Sequence, residues 1–184
     1  MKMRNHLSPL GSLVLAAGLL LFGPVAPAAE SEPPTIAVLG FDLVDDHPDP
    51  ARAELLRGRL TAITKQLELG LHERALYRVI DIAAAQDLID AQRASNEFLY
   101  RCNNCLAEVG QRLGTRLVAV GWVQRVSELI LNVNVSVQDS QTGVEVLSKS
   151  VDLRGNTDET WARGMNFMLR DWAERRARNP RYGF

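Results

Sequence analysis

The chain has 184 residues, with 21 Lys and Arg set against 22 Asp and Glu, three histidines and two cysteines. A near-neutral balance without a basic block excludes nucleic acid as the main partner and strong electrostatic attachment to anionic lipid. Two cysteines are too few for a disulfide-built scaffold, so the fold must rest on an apolar core.

In chain order, Lys2 and Arg4 precede an apolar run from Leu10 to Phe22, helix-breaking Gly23-Pro24 and the small-x-small signal Ala26-Pro27-Ala28. This is the pattern of a secretory signal peptide over residues 1–29. The run is short for a bilayer core about 30 Å thick, and no cysteine stands at the expected cut, which argues against a lipid-anchored product. Cleavage leaves about 155 residues, the size of one domain. Without Lys2 and Arg4, 19 basic residues face 22 acidic ones, a net charge of −3. No later apolar run is long enough to span a membrane. Residues 30–176 are expected to form one domain, and 177–184 a polar tail that frays.

Ile36 to Leu39 is a short apolar run ended by Gly40, the pattern of a buried strand. Asp49 and Pro50 then suit a helix entry as cap and first-turn residue. Leu56, Leu60, Ile63, Leu67 and Leu71 fall on one face of that helix. The stretch YRVIDI reads as a second short strand, residues 83–100 as a helix, and LAEVGQRLG as another helix stopped by Gly114. Beyond Thr115 the period changes. The stretch TRLVAVGWVQRV is an apolar strand, and Leu131, Val133, Val135 and Val137 alternate with Asn132, Asn134, Ser136 and Gln138, as in a strand with one buried face. The turn SQTG leads to a returning strand, VEVLSKSVDL. Asn156, with Glu159 three residues on, suggests a capping box for a last helix whose stripe is Trp161, Met165, Met168, Leu169 and Trp172.

Strands separated by helices favour parallel pairing, and strands joined by tight turns must be antiparallel neighbours. The expected fold is α/β: one mixed five-stranded sheet flanked by helices. The order of motifs resembles the amino-terminal α/β domain of TolB and the related modules of CsgG-like envelope proteins. The stretch TIAVLGF is similar to their opening strand, and Gly114, Val118, Gly121, Asp139, Thr142 and Gly143 fit the later strand and hairpin-turn positions. A closer resemblance, through GWVQRVSELILN and VDLRGNTDETWARG, is to secreted proteobacterial proteins of unknown function. The resemblance implies sheet order 2-1-3-4-5 with strand 4 antiparallel. It implies no activity.

Three groups of residues are candidates for function. Cys102 and Cys105 lack the following His of a haem anchor and the further ligands of a zinc site. In an oxidising compartment they read first as a disulfide clip; a redox-active pair or transient metal binding remain alternatives. Asp42, Asp45, Asp46 and Asp49, with His47, offer oxygen ligands to a hard cation, but without the EF-hand spacing. The plainer reading is a solvated acidic loop whose Asp49 caps the first helix. Arg154, Asn156, Asp158, Glu159 and Arg163 crowd a strand-to-helix corner together with Asp152, either as a polar network or as a partner-binding surface. No catalytic triad or phosphate loop is present. The leading expectation is a non-catalytic periplasmic interaction module with no cofactor. Its partner would be another periplasmic or envelope protein, and it would be an accessory factor of an envelope or periplasmic redox system. The competing readings are a small-ligand or metal-binding protein using the aspartates, and a thiol-disulfide protein using Cys102 and Cys105.

Overall fold

The structure, a computed structural model, describes residues 32–184, which form one compact unit. The expected signal peptide lies outside the described residues. Five strands build one sheet: β1 (Thr35–Asp45), β2 (Arg78–Val79), β3 (Leu117–Arg125), β4 (Ile130–Asp139) and β5 (Glu145–Arg154). Their order is β2-β1-β3-β4-β5, as expected. β1 runs parallel to β2 and β3, while β4 is antiparallel to both of its neighbours. The helices are α1 (Ala53–Glu73), α2 (Gln86–Ser95), α3 (Cys105–Leu113) and α4 (Asp158–Arg178).

Two apolar layers enclose the sheet. On one face, Leu56, Ile63, Leu67 and Leu71 of α1 and Trp161, Met165, Met168, Leu169 and Trp172 of α4 pack on the inward row of β4, Leu131 to Val137. On the other face, Ile89 of α2 and Leu106 and Val109 of α3 cover Ala37, Leu39, Val118 and Val120. Both helical stripes and the strand alternation are thus buried as their periods require.

Three local expectations give way. Gly40 does not end the first strand: it sits at φ +84° in a register shift between Val38 and Phe41, after which β1 resumes pairing with β3 as far as Asp45. A glycine bulge of this kind kinks a strand without ending it. The helix expected over 83–100 stops at Ser95. Arg93 in its last turn pairs with the Asp42 carboxylate at 2.5 Å, and beyond the helix the same carboxylate accepts the Leu99 backbone N–H at 2.9 Å, where Leu99 is buried. Tertiary anchoring overrides local propensity there. The cap of α4 is Thr157 rather than Asn156, in a reciprocal box with Thr160 rather than Glu159. The expected polar tail, residues 177–184, begins within α4, which runs to Arg178, and its last residues meet Tyr77 and Arg176. Tyr77 donates its hydroxyl hydrogen to the Gly183 carbonyl at 2.6 Å, and Arg176 stacks on Phe184, 3.8 Å from the ring centre. The tail's contacts are a hydrogen bond to the buried Tyr77 and cation–π stacking on Phe184, which itself stays 43% exposed.

The hairpin turn explains the Asp-x-x-Thr-Gly spacing. Asp139, nearly fully buried, accepts the backbone N–H groups of Gln141 and Thr142 and pairs with Arg116 at 2.5 Å, while Gly143 takes φ +71°. The Arg116 hydrogen bond, reinforced by the two backbone N–H groups, holds the Asp139 carboxyl below its ordinary value against the opposing effect of burial.

Candidate functional site: the β5–α4 corner

The chain leaves β5 at Arg154, turns through Gly155 at φ +101° and enters α4 through Thr157. Asn156 lies at the hub of this turn. Its amide oxygen accepts from Trp161 Nε1 and Arg59 Nη1, both at 2.9 Å, and its nitrogen donates to Glu128 at 3.2 Å. Arg59, reaching across from α1, also donates to Asp158 at 2.6 Å. Glu128 in turn meets Arg52 and Arg125, and the buried Arg125 pairs with Asp45 at 2.9 Å. Burial alone would raise the Glu128 carboxyl, but hydrogen bonds from Arg52 and Asn156, with the charges of Arg52 and Arg125, hold it below its ordinary value.

The five corner residues therefore divide. Asn156 and Asp158 belong to a polar network that ties α1, the β3–β4 turn and the start of α4 together. Arg154 and Arg163 stand outside it, and neither lies within ion-pair distance of a carboxylate among the described residues. Glu159 is solvent-exposed one turn before Arg163. Arg154 and Arg163 line an open groove of about 690 Å³ between the free edge of β5 and the outer face of α4, with Asp152, Gly164, Phe167 and Arg170. A second cleft, of about 390 Å³, lies between α1 and α4 beside Leu55, Gly58 and Trp161.

The sequence reading missed Arg59, Arg125 and Glu128, whose partners are 80 to 99 residues away or lie in another turn. It also missed Phe167 and Arg170, although the spacing of Arg163, Phe167 and Arg170 places them on one helical face, away from the buried stripe.

The aspartates of the first segment are not brought together. Asp42 faces Arg93, Asp45 faces Arg125, Asp49 caps the turn at Ala51, and Asp46 is exposed. Among the described residues no group of three or more His, Cys, Asp or Glu is arranged to hold a metal ion. Two of these aspartates lie on β1 itself rather than in a loop, because the strand continues past Gly40. Cys102 and Cys105 face each other with Cα atoms 5.6 Å apart, within the span of a disulfide. Cys105 is the buried first residue of α3, and Cys102 is partly exposed. Beside them runs an aromatic row: Tyr100 is stacked on Trp122 at 4.2 Å, and Phe98 lies 5.6 Å from Tyr100.

This architecture can be set against known proteins. Residues 34–172 match the model of the DUF3280 family, described as a protein of unknown function (DUF2380). The chain belongs to this family. No curated protein matches it in sequence. Among solved structures, lipoprotein GNA1162 from Neisseria meningitidis is similar at 18% identity and TM-score 0.50, over 80% of this chain and 98% of that one. The LpoB carboxyl-terminal domain from Salmonella enterica is similar at 10% identity and TM-score 0.49, over 67% and 84%. TolB from Acinetobacter baumannii is similar at 13% identity and TM-score 0.43, over 80% of this chain but 29% of TolB. The first of these shows a shared fold; the other two overlays are too loose to carry argument. Among the described residues, no helix is long and apolar enough to cross a membrane.

Proposed function

We propose that this DUF3280 protein is a non-catalytic periplasmic interaction module that binds another envelope or periplasmic protein through the β5–α4 groove. One observation carries the reading. Of the polar groups singled out in the sequence, the carboxylates of β1 and Asn156 of the corner are consumed by internal partners, whereas Arg154 and Arg163 face an open groove without any. Unpaired guanidinium groups beside an exposed aromatic ring are the composition of a protein-binding surface. The signal-like leader supports delivery to the periplasm, and a fold shared with a lipoprotein accords with an envelope setting. The kinship with TolB amino-terminal and CsgG-like modules is part of the same proposal. We read Cys102 and Cys105 as a structural clip that holds the entry to α3. Whether the partner belongs to an envelope assembly or to a periplasmic redox system follows from its identity.

Site-specific photo-cross-linking in cells tests the reading. A cross-linking residue at Phe167 is expected to trap one defined protein, and Arg163→Glu in the same chain to abolish the adduct. An identical adduct from a probe at Ala94 on α2, or none from Phe167, would overturn it. Recovery of the chain outside the periplasmic fraction would remove the proposed setting.

A further inference from the structure

We infer that the groove accepts an extended, acidic segment of the partner, paired with β5 as a sixth strand. This rests on the interaction-module reading and specifies the partner's chemistry. β5 is ten residues long, pairs only with β4 among the described residues, and exposes Ser148, Ser150, Asp152 and Arg154 on one side. A free strand edge presents unpaired N–H and C=O groups at strand spacing, and an extended peptide satisfies them by adding a strand.

Edges of this length are usually guarded by a lysine, a proline or a bulge. Here β5 has no proline, and its one register irregularity lies at the far end, opposite Val137 and Gln138. Its lysine is withdrawn: Lys149 points inward, is 7% exposed and is held by Asp171 at 2.5 Å. The stretch from Ser150 to Arg154 is therefore open along the groove. Gly164 lets α4 approach closely, because a Cβ there would collide with Leu153. Beyond Gly164, Phe167 is half-exposed, with the Arg170 guanidinium 5.4 Å from its ring centre. An incoming strand points every second side chain to the same side, so it can set one on Phe167 and reach the arginines with others.

Charge selects the sign of the segment. Arg154, Arg163 and Arg170 line the groove against one carboxylate, Asp152. Glu174, 3.9 Å from Arg170, and Glu159, whose carboxyl feels the charge of Arg163, do not line the groove.

The test uses the protein purified from periplasm and fluorescent peptides of about eight residues, long enough to pair along the open run Ser150–Arg154 and extend past both of its ends. One peptide alternates Glu with Val and Thr; in two others Gln or Lys replaces Glu. The Glu peptide is expected to bind about tenfold or more tighter than either control, and to weaken several-fold as salt rises from about 50 to about 300 mM. It should also slow amide exchange across Ser148–Leu153. Arg154→Glu and Arg163→Glu should each reduce its affinity about tenfold with the melting temperature nearly unchanged. Equal binding of the three peptides, no binding of any, or binding without new protection in β5 would overturn the inference. Concentration-dependent dimerisation that protects β5 without peptide would assign the edge to a second copy and overturn it too. If the Phe167 cross-link captures a partner through a basic or helical segment, the inference fails while the interaction module stands. If no cross-link forms, the module itself fails.

Discussion

Replacing Trp161 tests how the corner is held. Trp161 is 1% exposed, packs in the main core and donates its indole N–H to Asn156 at 2.9 Å. Truncation to alanine removes a fully buried indole at the start of α4, where Arg59, its ring neighbour at 5.9 Å, is anchored to Asn156 and Asp158 and cannot collapse into the space. Loss of such a side chain costs about 3–5 kcal/mol. For a domain of this size that lowers the melting temperature by about 10–15 °C. Trp161→Phe separates packing from the hydrogen bond. The ring is largely kept, and Asn156 still accepts from Arg59, so no buried acceptor is orphaned. Its cost should be about 1–2 kcal/mol. Thermal and urea denaturation followed by circular dichroism measure both. An alanine variant within about 1 kcal/mol of the parent would refute burial of the α4 stripe as the source of stability. A phenylalanine variant as unstable as the alanine one would show that the Asn156 bond, and not the ring, holds the corner.

The remaining predictions concern the sheet, the clip and pH. Gly121→Ala should destabilise by about 1–3 kcal/mol, because its Cβ would run into the Phe41 ring packed over that glycine; Gly121→Ala combined with Phe41→Leu should recover part of the loss in the same melts. Cys102→Ser should cost no more than about 2 kcal/mol, since the closed loop is only a few residues long; free thiols in protein isolated without reductant would show that no clip exists. The Asp139 carboxyl is depressed in the folded state, so its stabilisation is complete above its unfolded value of 3.8 and is lost as pH falls through the folded value. Asp139→Asn should therefore flatten the acid limb of a stability-against-pH curve. Burial pushes the Tyr77 hydroxyl up to about 12 from 10.0, against the opposing charge of Arg176, so its stabilisation is complete below pH 10.0 and is lost as pH rises toward 12. Tyr77→Phe should remove that part of the alkaline loss, and an unchanged alkaline limb would refute the assignment.

What is local in this chain was legible in its residues. The stripes of α1 and α4, the alternation along β4 and the glycine-ended α3 follow from helical and strand periods and from glycine's freedom at positive φ. The mixture of parallel and antiparallel pairing followed from connection length and handedness, whereas the sheet order was what the resemblance to related modules implied. Local rules failed where a distant partner competed with them. Asp42 captures Arg93 and Leu99 and ends a helix that propensity alone would continue. Asn156 has a side chain suited to a cap, but Trp161, Arg59 and Glu128 claim it, and Thr157 takes over the capping. The corner was visible as a crowd of charges, yet its division into an internal network and an open groove depends on Arg59, which lies 97 residues from Asn156. Such pairings are set by how α1 crosses α4 over the sheet. Spacing along the chain cannot encode them, because hydrogen-bond and ion-pair energies depend on distances that exist only once the layers have packed.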